Sequence, residues 1–215
     1  MSAEYKTILK PAQGTIVEKK SKFIANIKHV ETQEEAAEFI SAVKSHYYDA
    51  RHNVYAYILK ENNFKRYSDD GEPQGTSGIP SLTVLEGEGL SDVCVVITRY
   101  FGGTLLGTGG LVRAYSGAVK EALNNAETVT LKQCDEIEIV CDYTLWGKVE
   151  NYISNSDAGL ENTEFSNNVT AKVLCSVNET QRFLKGLEEL TNASVKGSVT
   201  GNVFAPFTDD GKLSK

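Results

Sequence analysis

Eleven of the 18 glycines fall between Gly71 and Gly117. Backbone this rich in residues without a Cβ bends sharply or lies close to another chain or a ligand. The stretch therefore dictates tight loops around a few rigid elements. The rigid elements are legible between the glycines. Asp92 to Tyr100 holds Val93, Val95, Val96 and Ile97 and reads as a buried strand. Thr108 to Asn124 reads as a helix, with Leu111, Tyr115, Ala118 and Ala122 on one face and Val112, Val119 and Leu123 beside them. Thr76 to Leu85 reads as a shorter helix, weakened by Pro80.

Upstream of the glycines, Thr15 to Glu18 and Lys22 to Val30 read as strands around a Lys19-Lys20-Ser21 turn. Thr32 with Glu35 forms a capping box before Ala36, Phe39, Ile40 and Val43 at helical spacing. Arg51 to Lys60 is β-rich, and Phe64 to Tyr67 pairs back across an Asn62-Asn63 turn. Glu127 to Leu131 closes this segment as a strand. Downstream, strands at Glu136–Cys141, Gly159–Phe165, Val169–Val177 and Ser194–Val199 alternate with two helices. The first runs from Thr144 to Ser154; the second carries Phe183, Leu184, Leu187 and Leu190 behind an Asn178/Gln181 cap. That order is βαββαβ, the ferredoxin-like plait. The expected fold class is α+β, with domains at 1–132 and 133–205 and a loose tail at 206–215.

Charge is divided unevenly. Residues 1–132 carry 15 Lys and Arg against 16 Asp and Glu, and residues 133–215 carry 7 against 13. An anionic partner is therefore expected to meet the first segment. Arg51, Arg66, Arg99 and Arg113 lie there, and Arg captures phosphate or carboxylate in bidentate fashion. No apolar run approaches the roughly 20 residues of a membrane span. Met1 to Lys6 shows no basic-then-apolar leader, so a cytoplasmic protein is expected. Cys94, Cys134, Cys141 and Cys175 are far apart and read as free thiols, without zinc-ligand spacing. No cofactor or metal is expected.

Two blocks concentrate the chemistry. In Ser68-Asp69-Asp70-Gly71-Glu72-Pro73, three carboxylates within four residues suit acid–base or metal chemistry, or else a solvated turn. Gly75-Thr76-Ser77-Gly78 reads either as a helix cap or as an anion cradle. In the second block, Thr98 to Tyr115, Gly102 and Gly107 have P-loop spacing, but Thr108 stands where the Lys belongs. Gly107-Thr108-Gly109 opens a dinucleotide fingerprint, but Val112 stands where its last glycine belongs. Two readings remain for Arg99 and Arg113: an anion-binding pair at a helix start, or partners of Asp69 and Asp70 that fix the loops. The candidate contact set is Arg51, His52, Thr76, Arg99, Tyr100, Gly102, Gly103, Gly107, Gly109, Gly110 and Arg113. Asp69, Asp70 and Glu72 are the weaker catalytic candidates.

On these two blocks, and on Arg51-His52 ahead of the Tyr55 strand, the sequence resembles the YigZ/IMPACT family over residues 15 to 125. The resemblance implies a first domain like the second domain of ribosomal protein S5 and a ferredoxin-like second domain. It also implies a pairing similar to the last two domains of elongation factor G. Contact with RNA or the ribosome follows as an expectation. Eukaryotic relatives restrain a translation-controlling kinase by competing for its ribosome-associated activator; they carry a further N-terminal domain, which is not expected here. The leading expectation is thus a non-enzymatic, translation-associated regulator. The alternatives are a hydrolase on a small phosphorylated or peptide-like substrate through Asp69, Asp70 and Glu72, and a module that binds only protein.

Overall fold

A computed structural model describes residues 4–207. The chain divides into two compact units, one spanning Tyr5–Val129 and the other formed mainly from Thr130 onward.

The first unit contains β1 (Glu4–Ile8), β2 (Ala12–Glu18), β3 (Ser21–His29), α1 (Gln33–His46), β4 (His52–Leu59), β5 (Phe64–Ser68), α2 (Gly78–Gly87), β6 (Val93–Tyr100) and α3 (Thr108–Asn124). Strands β2-β3-β6-β4-β5 form one antiparallel sheet. Its centre is β6, which is apolar on both faces. Val93, Val95 and Ile97 enter the core shared with α2 and α3, while Cys94 and Val96 enter the core beneath α1. Helix α3 buries Leu111, Ala114, Tyr115, Ala118, Val119 and Ala122, the stripe its spacing predicts. Burying a side chain such as Leu111 or Val119 contributes about 1.5–3 kcal/mol. Thr32 caps α1, its hydroxyl accepting the Glu35 N–H. The Glu35 carboxylate reaches back to the N–H of Glu31, one residue before the cap.

The second unit contains β7 (Thr128–Cys141), α4 (Tyr143–Ser154), β8 (Gly159–Phe165), β9 (Val169–Ser176), α5 (Thr180–Leu190) and β10 (Gly197–Phe207). Its strands pair in the order β8-β9-β7-β10, all antiparallel. Val149 and Ile153 of α4 and Phe183 and Leu187 of α5 pack on Ile137, Ile139, Ala171 and Val173.

The α+β class and the βαββαβ order stand, while several boundaries move. Strand β1 has no counterpart in the sequence-based expectations; Ile8 anchors it in the first core. The strands expected at Glu127–Leu131 and Glu136–Cys141 are one strand, because Gln133, Cys134 and Asp135 keep pairing with β10. Helix α2 starts at Gly78, so Pro80 falls in its first turn, where no intrahelical N–H bond is lost. The α5 cap position is Glu179 rather than Asn178, and Thr180 instead donates to Asp135. Pro206 and Phe207 are not tail: β10 runs through them, opposite Leu131 and Thr130, and Phe207 is buried. Residues 208–215 of the expected tail lie outside the described residues. Among the described residues no helix is long and apolar enough to cross a membrane.

Candidate functional site

The register of the first sheet gathers the predicted residues at one end. Lys22 lies opposite Tyr100, His52 opposite Arg99, and Tyr55 opposite Ser68. The Lys19-Lys20 turn, the 69–77 loop, Arg51 and the 101–107 loop therefore all emerge together.

Three carboxylates at this end, Asp69, Asp70 and Glu72, turn inward, while Glu18 and Asp49 stay exposed. Asp69 accepts the N–H groups of Gly75, Ser77 and Gly78 at 2.8, 3.1 and 2.8 Å. It caps α2, so the predicted anion cradle at 75–78 is filled by the chain's own carboxylate. Thr76 is buried and its hydroxyl donates to the Pro73 carbonyl at 2.6 Å, which corrects its expected role as a contact residue. Asp70 accepts the Asn53 N–H at 2.6 Å and Lys44 Nζ at 2.8 Å. It holds φ at +45°, a conformation costly to a non-glycine residue and kept here by those bonds. Its carbonyl accepts from His52 Nδ1 at 2.9 Å, which puts the imidazole proton on Nδ1 and leaves Nε2 as the free nitrogen.

Glu72 and Arg99 form the floor of a cleft. Arg99 is 7% exposed and Glu72 9%, and Arg99 Nη1 donates to Glu72 Oε1 at 2.6 Å. Tyr115 donates its hydroxyl to the same oxygen at 2.8 Å. Burial first, and the Glu72 charge second, push the Tyr115 hydroxyl far above its ordinary range, so it stays a donor. Arg99 Nε is buried and has no hydrogen-bond partner among the described residues. The guanidinium lies 5.4 Å from the centre of the Phe23 ring and 5.7 Å from that of Phe101. Arg99 is therefore not an outward receptor: it is neutralised inside, and by Glu72 rather than by Asp69 or Asp70. Above it opens a cleft of about 440 Å³. Arg51, His52, Glu72, Pro73, Arg99, Phe101, Leu105, Leu106, Gly107, Thr108 and Leu111 line it. Phe101 is 56% exposed and Leu105 84%.

At this end Lys19, Lys20, Lys22, Arg51 and Arg113 are exposed cations. None of them makes an ion pair among the described residues. Lys19 and Lys20 both hold positive φ, at 46° and 69°. Helix α3 begins beside the cleft, where Gly107 at φ +71° supplies no side-chain cap. Among the described residues no side chain caps its first turn in the way Asp69 closes α2. The glycines divide by role. A Cβ on Gly102 would overlap the Lys20 backbone, so its closeness is to this chain and not to a partner. Gly103 and Gly107 face open space at positive φ. A Cβ on Gly109 would lie 4.0 Å from Arg113 Nη1, and one on Gly110 would lie 3.0 Å from Leu106 Cβ. The Tyr100 hydroxyl donates to Asp49 at 2.7 Å, and that bond, followed by burial, pushes its pKa up to about 12.

The sequence-predicted residues do come together, and their partners decide what each is free to do. Tyr115, Pro73 and Lys44 were not among the predicted set. Tyr115 carried only a helix-core signal, and Lys44 reaches Asp70 from α1, a pairing no spacing reveals. Among the described residues, no three His, Cys, Asp or Glu side chains converge as a metal set would.

Residues 19–123 match the Impact N-terminal domain, and residues 139–194 match a domain of unknown function, DUF1949. IMPACT family member YvyE of Bacillus subtilis is 41% identical over 193 residues, covering 89% of each chain. The chain belongs to the IMPACT family. IMPACT family member YigZ of Escherichia coli is 33% identical, covering 88% of this chain and 95% of its own. A Protein IMPACT homolog of Dictyostelium discoideum is 34% identical over 56% of this chain but 35% of its own length. One crystal structure, titled as that of an hypothetical protein, matches with a TM-score of 0.61 and 30% identity, covering 94% of this chain and 99% of its own. Within the IMPACT match, residues 19–123 take in the dilysine turn, both loops and the α3 start, so the whole candidate site lies in the family's named domain.

Proposed function

We propose that this protein is a translation-associated regulator that binds RNA, free or on the ribosome, through the loop end of its first unit. Charge sorting is the observation that supports this most. Asp69, Asp70 and Glu72 serve as internal acceptors, while Lys19, Lys20, Lys22, Arg51 and Arg113 face solvent unpaired. A near-neutral segment thus presents a cationic end, the arrangement a phosphate backbone needs. The open α3 N-terminus adds a dipole of the same sign. The same sorting weighs against the hydrolase reading, because a carboxylate already accepting two or three hydrogen bonds has little freedom to act as base or ligand.

The test is fluorescence anisotropy of a labelled single-stranded oligoribonucleotide at low salt. Binding is expected, weakened about tenfold or more by the paired charge reversals Arg51→Glu and Arg113→Glu. Absence of binding at low salt, or equal binding by the variant, contradicts the reading.

A further inference from the structure

We infer that the cleft above Arg99 and Glu72 takes a single unstacked nucleobase, stacked by Phe101 and read along its edge by that buried ion pair. The inference rests on the RNA reading and names what the site recognises beyond phosphate.

The floor and walls ask for different things. The walls are apolar, from Pro73 on one loop to Phe101, Leu105 and Leu106 on the other. Phe101 and Leu105 hold large apolar side chains in water. A ring between such walls removes them from solvent. The floor is polar and short of partners. Glu72 Oε1 accepts from both Arg99 and Tyr115, and among the described residues none donates to Oε2. Arg99 is more than nine-tenths buried, uses Nη1 on Glu72, and has an unpartnered Nε. A buried polar group without its bonds is costly, and Arg99 and Glu72 both line the cleft, so a ligand edge that enters it meets a donor side chain and an acceptor side chain together.

The occupant follows by charge and shape. A carboxylate side chain would meet Glu72, and a cationic one would meet Arg99. An aliphatic or phenyl group would leave the pair unanswered. A nucleobase is neutral, planar, and carries an N–H donor beside a ring nitrogen or carbonyl acceptor. It satisfies floor and walls together. The volume, about 440 Å³, falls in the ordinary range for small-ligand clefts, about 300–1,000 Å³. Arg51 at the rim and the open start of α3 stand where a phosphate attached to such a base would emerge.

Two measurements on the full chain test this apart from the RNA reading. In the first, nucleoside 5′-monophosphates are titrated while the methyl resonances of Leu105, Leu106 and Leu111 are followed by NMR, with inorganic phosphate and N-acetyl-tryptophanamide as controls. Shifts are expected with the nucleotides and not with either control. In the second, an oligoribonucleotide with abasic positions is expected to bind about tenfold more weakly than the intact one. Phe101→Ala, a surface change that leaves the core alone, is expected to remove that difference. Unmoved methyls together with equal intact and abasic binding overturn the base pocket while leaving the phosphate contact standing. Equal shifts with inorganic phosphate overturn it in favour of a plain anion site. Equal shifts with the amide overturn it in favour of a protein side chain. Nucleotide shifts in a chain that fails to bind RNA uphold the pocket and remove the RNA reading.

Discussion

Arg99 shows how a single residue's partner decides its role. Its position beside a glycine loop suits an anion receptor, yet Glu72 meets it at 2.6 Å below the surface. Replacing Arg99 by Met leaves Glu72 buried and unpaired, and a loss of about 3–5 kcal/mol is expected in urea unfolding. The double change with Glu72→Leu is expected to recover most of that loss; a double variant no more stable than the single would show that the pair is not the reason. Asp69→Ala removes the acceptor for three N–H groups, with an expected loss of about 1–2 kcal/mol. Tyr100 and Tyr115 bind their protons more tightly folded than unfolded, so their contribution is complete below about pH 10, the ordinary tyrosine value. It is lost as pH rises, for Tyr100 through about 12. Ultraviolet titration of the native protein is expected to show both hydroxyls ionising later than ordinary tyrosines; a single native transition near pH 10 for all ten would contradict it. The sequence offered a pairing of the arginines with Asp69 or Asp70 as one of two readings. It did not show which acid turns inward, because that depends on the backbone of Asp70 and Gly71, at φ +45° and +85°.

At the scale of elements, periodicity was a good guide wherever burial is one-sided or complete. Helix α3 and strand β6 carry their burial pattern openly in Leu111 to Ala122 and Val93 to Ile97. What periodicity cannot carry is continuity and approach. Strand β7 reads as two strands because polar Gln133 and Asp135 interrupt its apolar pattern, yet pairing with β9 and β10 holds it as one. Gly14 of β2 is a second such case. A Cβ there would overlap the backbone of Glu121 and Ala122, so only glycine lets α3 lie so near the sheet. Gly14→Ala is expected to force the helix away and cost about 1–3 kcal/mol in the same unfolding assay. An unchanged midpoint would mean that α3 is not held by that approach. The two helix starts also separate at this scale. Helix α2 is closed by Asp69, and α3 is left open beside the cleft. Both starts have glycine and threonine in sequence, so only the fold tells them apart.

Across the whole molecule, the net charge of −7 hides the feature that matters, since Asp69, Asp70 and Glu72 are spent internally at one end of the first sheet while Lys19, Lys20, Lys22, Arg51 and Arg113 stay outside. Composition alone disfavours the RNA contact proposed above; the distribution of partners is what supports that proposal. The four thiols give an independent check on the packing. All are free and buried, and burial pushes each above its ordinary value, Cys134 and Cys175 up to about 11. Native protein at neutral pH is expected to react slowly with a disulfide reagent, and all four thiols rapidly in denaturant; fast native reaction would contradict the packing. The most direct test of the charge-sorted contact face is the slope of log K against log salt for single-stranded RNA binding, wild type beside Arg51→Ala and Arg113→Ala. A slope that is negative in the wild type and shallower by about one for the loss of each phosphate contact is expected. A slope near zero, or one that neither substitution changes, would contradict the account.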